Sequence, residues 1–157
     1  MLAIVDPSHL SYLPTSESKV VRVTDQDEMI DLYTDLLPQI TRMFKRRDIY
    51  QTTPMLLLDC CLCDDYTMWR ADRGDEFQGI AITQINDWPS DVRTFDVLYV
   101  IGKTRHWDDV LAGWEAFLQY AREKNCTRLT GQTRTGWKPY IKHFGLKQHT
   151  LNISKEI

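Results

Sequence analysis

TFDVLYVIGKTRHWDDVLAGWEAFLQYAREK, residues 94–124, decides how this chain reads. Thr94 to Ile101 is rich in β-branched and aromatic residues, the composition of a strand. Gly102 to Trp107 form a short polar connection. From Asp108 to Lys124, Val110, Leu111, Trp114, Phe117, Leu118 and Ala121 recur at steps of three and four, so a helix there has one apolar face. Asp108 and Asp109 stand at its start and Arg122 and Lys124 at its end, each at the pole of the helix dipole that its charge favours. A strand feeding a helix through a short loop opens a crevice at the strand's carboxyl end, with unsatisfied helix amides directed into it. That crevice is the expected working site.

Outward from this unit, the bulk composition sets bounds. A chain of 157 residues suffices for one domain with its own core. A net charge of −3 argues against general nucleic-acid binding. The charge is unevenly spread: residues 1–102 hold 9 Lys/Arg against 17 Asp/Glu, and residues 103–157 hold 10 against 5. The two halves either present surfaces for different partners or face each other in the fold. No apolar run approaches the roughly 20 residues that span a bilayer, so no membrane partner is expected. Met1 to Asp6 lacks the pattern of a signal peptide, which points to a cytoplasmic location.

Residues 1–18 read as an arm or short strand, and residues 19–157 as a single domain. Lys19–Val23 is a strand. Thr24 with Asp27 forms a capping box for a helix carrying Met29, Ile30, Tyr33, Leu36, Leu37 and Ile40, which Pro38 should kink or divide. Lys45, Arg46 and Arg47 close it. Thr53 caps and Pro54 starts a second helix reaching about Cys63. Tyr66–Ala71 and Glu76–Ile85 are strands joined by Asp72-Arg73-Gly74-Asp75, and a further turn over residues 86–91 leads into the organising strand, completing an antiparallel meander. Asn125 caps the long helix. Thr127–Thr133 should run parallel to the organising strand, because a helical crossover restores chain direction. A short helix over residues 136–144 and a last strand over residues 146–154 follow.

This order of elements resembles the GNAT acyl-CoA-dependent N-acetyltransferases. Residues 72–80, DRGDEFQGI, resemble that family's hairpin, and residues 140–146, YIKHFGL, its terminal aromatic segment. The fold implied is α/β (α+β): a mixed, mostly antiparallel sheet with helices on both faces. In that family the organising strand and the strand after the helix splay apart. The resemblance places the pantetheine arm of acetyl-CoA against Val100, Ile101 and Gly102. It places the pyrophosphate on the loop that follows, with Lys103, Arg105 and His106 as phosphate ligands. The family's Arg/Gln-x-x-Gly-x-Gly/Ala loop corresponds to residues 105–110, RHWDDV, where Arg105 is kept and Asp108 and Val110 replace the small residues. The other reading of this loop is a solvated connection with helix-capping acids. Counting back from Gly145, the family's general acid for the departing thiolate falls at Ile141; Tyr140 is its neighbour, offset by about 100° on a helix, and serves either as that acid or as core. A base must deprotonate the acceptor ammonium. Asp96 is the first candidate and Asp87 and Asp91 the next, each with a solvated turn or strand-edge acid as its alternative.

Cys60, Cys61 and Cys63 contain a C-x-x-C near a helix end, where buried small apolar residues fit better than a metal or redox site. Arg134 to Phe144 interleaves basic and aromatic residues, which suits either base stacking or a helix packing its rings inward. Two functions follow. One is an N-acetyltransferase using acetyl-CoA on an amine acceptor, for which the acidic first half suits a cationic substrate. The other is a non-catalytic protein of the same fold acting through a protein partner. Chains of this kind resemble accessory or virion proteins of tailed phages, which would place it in host cytoplasm or virion.

Overall fold

A computed structural model describes residues 18–103 and 107–131, and gives the backbone alone for residues 107–111. The order is β1 (Ser18–Val23), α1 (Gln26–Asp35), α2 (Leu37–Arg46), α3 (Pro54–Leu62), β2 (Thr67–Arg73), β3 (Glu76–Asp87), β4 (Arg93–Gly102), α4 (Trp107–Glu123) and β5 (Arg128–Gly131). The strands form one sheet in the order β1-β2-β3-β4-β5. The first three pairings are antiparallel and β4–β5 is parallel. The arm over residues 1–17, the helix expected over 136–144 and the strand expected over 146–154 lie outside the described residues. No described helix is long and apolar enough to cross a membrane.

Two cores lie on opposite faces of the sheet. On one, α1–α3 bury Met29, Leu32, Tyr33, Leu36, Ile40, Met43, Leu57 and Cys61 against Met68, Ile80, Ile82 and Ile101. On the other, α4 brings Phe117 and Ala121 onto Trp69, Ala81 and Phe95. The Trp69 ring meets Phe117 and Tyr120 edge-on, with both centroids at 5.2 Å, and its Nε1 donates to Thr83 Oγ1 at 2.9 Å. The indole proton is thereby satisfied inside an apolar layer.

Local chemistry explains the boundaries. Pro38 does divide the helix: α1 stops at Asp35 and α2 restarts at Leu37 with the proline in its first turn, where a missing amide proton costs nothing. The cap of α1 differs from the capping box anticipated at Thr24. Asp25 is the N-cap and its carboxylate accepts from Glu28 N at 3.0 Å. The apolar stripe differs from the one anticipated: Leu32 is buried, while Ile30 of α1 and Leu37 of α2 are exposed. Thr53 caps α3 as expected, accepting from Leu56 N. Asn125 sits at φ 59, with its own amide donating to Arg122 O and Cys126 N donating to Ala121 O. This left-handed residue closes α4 in a Schellman motif. The hairpin loop is tighter than four residues. Arg73 still pairs with Glu76, leaving Gly74, at φ +58, and Asp75 to turn the chain.

Gly79 marks a close approach of β3 to the end of β4. A Cβ there would lie 2.3 Å from Ile101 O and 2.7 Å from Gly102 Cα. Gly79→Ala should therefore destabilise the fold by about 2–3 kcal/mol, since backbone on both sides must move. Urea unfolding measures this, and an unchanged midpoint would contradict it. A second expectation concerns pH. Burial raises the Cys61 thiol from its ordinary 9.0 to about 12, and burial also raises Tyr33. The unfolded thiol releases its proton near 9 while the folded one retains it, so this contribution is complete below pH 9 and is lost between about 9 and 12. Between pH 9 and 10, wild type should lose stability more steeply than Cys61→Ala, by up to about 1.4 kcal/mol per pH unit. Parallel denaturation curves of the two proteins would rule this out.

Candidate functional site

β4 carries an irregularity that positions the site. Thr83 pairs with Val97 and Ile82 with Tyr99, so Leu98 is an extra residue in β4. A strand alternates faces with period two, and one inserted residue reverses the alternation. Before the bulge, Phe95 and Val97 point to the α4 core. After it, Tyr99 and Ile101 point to the α1–α3 core. The described β4–β5 pairing runs from Thr94↔Arg128 to Val97↔Gly131, the last described residue. β4 continues to Gly102.

Asp96 lies two residues ahead of the bulge and is half-buried. Oδ2 accepts from Asn86 Nδ2 of β3, and Oδ1 accepts from Thr130 Oγ1 of β5. The carboxylate thus ties β4 to both neighbouring strands. Each oxygen keeps a second lone pair, so an incoming ammonium could still be received. Asp87 instead pairs with Arg93 at 3.3 Å, and Asp91 occupies a left-handed turn position at φ 61, its amide donating to Trp88 O. Neither approaches the bulge through a hydrogen bond in the described residues.

The residues proposed to bind the cofactor are divided by the structure. Val100 is exposed, 58 % of its surface being free, Ile101 is buried and Gly102 is exposed. Lys103 faces α1. Its Nζ pairs with Asp35 of α1 at 2.7 Å and stands 5.1 Å from the Phe77 ring centroid, while its amide donates to Gln78 O. Arg105, His106 and Tyr140 lie outside the described residues. Sequence inspection missed Asn86 and Thr130, the partners of Asp96, because their meeting is set by register across three strands. It also missed Tyr99, which stacks on Phe44 of α2 with centroids 6.5 Å apart. Burial raises the Tyr99 hydroxyl's pKa and the nearby Arg47 charge acts against that shift. Of the cysteines, Cys61 is buried and Cys63 is exposed with Sγ 3.4 Å from Asp65 Oδ2.

No family model and no curated protein matches the chain by sequence. Solved structures do match by shape. An aminoglycoside acetyltransferase from an uncultured soil metagenomic sample, in complex with sisomicin, superposes with a TM-score of 0.65 at 10 % identity over 90 % of this chain and 97 % of its own. A Clostridium acetobutylicum structure, described as a predicted acetyltransferase with acetyl-CoA, gives 0.63 at 11 % over 88 % and 96 %. Glucosamine-6-phosphate N-acetyltransferase from Arabidopsis thaliana gives 0.60 at 12 % over 88 % and 97 %. The chain has the GNAT fold.

The Asp96 bridge has a measurable consequence. Asp96→Asn replaces an acceptor by a donor facing one of its two donors, and should cost about 1 kcal/mol of stability. In a double-mutant cycle, Thr130→Val should cost less in the Asp96→Asn background than in wild type. Strict additivity would show that the bridge contributes nothing.

Proposed function

We propose that the chain is an acyl-CoA-dependent N-acetyltransferase acting on an amine acceptor. The observation that carries this reading is the Asp96 carboxylate held two residues before the Leu98 bulge, within a GNAT fold. β4 beyond the bulge, with exposed Val100 and the bare Gly102, fits an extended pantetheine arm. The connection to α4, with Arg105 and His106, would meet the pyrophosphate near the first amides of that helix. Bound acetyl-CoA would supply an acetyl group already activated as a thioester. Asp96 would take one proton from the acceptor ammonium, exposing the nitrogen lone pair, and hold it while the amide forms. Tyr140 is the residue assigned to protonate the departing sulfur.

A second reading draws on a specific observation. Lys103 is committed to Asp35, and Asp108 and Val110 stand where small residues would let backbone approach phosphate. Under this reading the fold serves protein contact, as in a phage accessory or virion component.

Acetyl-CoA added to a thermal melt separates the two. At 100 times Kd a specific ligand stabilises by about 2.7 kcal/mol. Arg105→Ala should abolish the shift. Asp96→Asn should keep it while lowering turnover by about 100-fold or more. No shift at millimolar acetyl-CoA would leave the protein-contact reading in its place.

A further inference from the structure

Ahead of the bulge, beyond Ile82, Leu98 and Tyr99 of the α1–α3 core, the face that carries Asp96 turns polar. Asp96 pairs with Gln84 on β3 and Thr130 on β5; Thr94 pairs with Asn86 and Arg128. Side chains two apart on a strand, and those directly opposite across strands, share a face. These six residues therefore form a grid of two rows across three strands. The positions alternating with them, Ile85, Phe95, Val97 and Leu129, belong to the α4 core on the other side. At these six positions one surface of the sheet is polar, and the other is apolar and covered by α4.

The grid is internally ordered. Asn86 Nδ2 donates to Gln84 Oε1 at 3.3 Å and to Asp96 Oδ2, and Thr130 Oγ1 donates to Asp96 Oδ1. Trp88 flanks it. Its Nε1 donates to Thr94 Oγ1 at 2.9 Å, which fixes the ring to the same face, and the residue remains 53 % exposed. A tethered, exposed aromatic plane thus stands beside a row of amide, hydroxyl and carboxylate groups. It suits a ring that offers C–H groups on its flat side and hydroxyls around its edge.

We propose that this grid binds a polyhydroxylated amine of the amino-sugar class. The proposal rests on the acetyltransferase reading for its chemistry, but the binding stands apart from it. Asp96 would receive the ammonium. Gln84 Nε2, Asn86 Oδ1 and the Arg128 guanidinium, which make no other described hydrogen bond, would meet hydroxyls. An apolar amine would leave these groups unpaired on desolvation, and the site would reject it for that reason. A diamine would set its second ammonium toward Arg128, diagonal to Asp96, and like charge would oppose it.

The test is ligand-observed saturation-transfer NMR on the full chain without acetyl-CoA, titrating D-glucosamine, cyclohexylamine and putrescine. Glucosamine should saturate, and the other two should bind at least about tenfold more weakly. Trp88→Ala should weaken glucosamine by about tenfold or more, while Trp88→Phe, which keeps a stacking plane, should stay within about threefold. Gln84→Ala and Arg128→Ala, on partly exposed positions, should each weaken it and leave the melting temperature unchanged. Equal affinity for cyclohexylamine, absence of glucosamine binding, or indifference to all of these variants would overturn the proposal. A positive acetyl-CoA shift with no glucosamine binding would keep the enzyme and remove the amino sugar; glucosamine binding without that shift would keep the grid and remove the enzyme.

Discussion

A strand has two faces and a period of two, and β4 must satisfy different neighbours along its length. Its first half supplies Phe95 and Val97 to α4, and its second half supplies Tyr99 and Ile101 to α1–α3. A regular strand would continue Phe95 and Val97 with Tyr99 and Ile101 on the same side. The extra residue at Leu98 resolves the conflict. It lets one strand contribute to both cores, two residues beyond Asp96. The two cores and the candidate site thus depend on a single inserted residue.

The surrounding residues reinforce that geometry. Gly79 brings β3 close enough to Ile101 and Gly102 that no side chain fits between them, which fixes the strand beyond the bulge. Leu98 and Tyr99 pack on the α1–α3 core, with Tyr99 lying on Phe44. Ahead of the bulge, Asp96 bridges β3 and β5 through Asn86 and Thr130. A carboxylate at this position serves structure and could serve chemistry, because two acceptors are occupied and two lone pairs are free. Lys103, at the far end of β4, pairs with Asp35 of α1 across the surface.

Much of this was legible in residue order. Pro38 and Pro54, the caps at Thr53 and Asn125, and the α4 periodicity from Trp114 to Ala121 each act through neighbours within one helical turn, and local signals of that kind survive in sequence. The parallel β4–β5 pairing followed from the crossover rule rather than from any letter. The bulge did not show, since Val97-Leu98-Tyr99 reads as unbroken strand and only the β3 register reveals the extra residue. Asn86 and Thr130 looked like ordinary turn and strand residues until pairing set them beside Asp96. The capping error at Thr24 arose because Thr24 and Asp25 are both good caps, and local chemistry alone does not choose between them. Arg105, His106 and Tyr140 remain positions taken from the family resemblance.

Amide hydrogen exchange along β4, with and without acetyl-CoA, tests the central claim most directly. If the strand beyond the bulge receives an extended ligand, peptides covering Leu98–Gly102 should gain protection at saturating acetyl-CoA, while those covering Arg93–Val97 should not change. Identical exchange in both segments with and without the ligand would contradict the account.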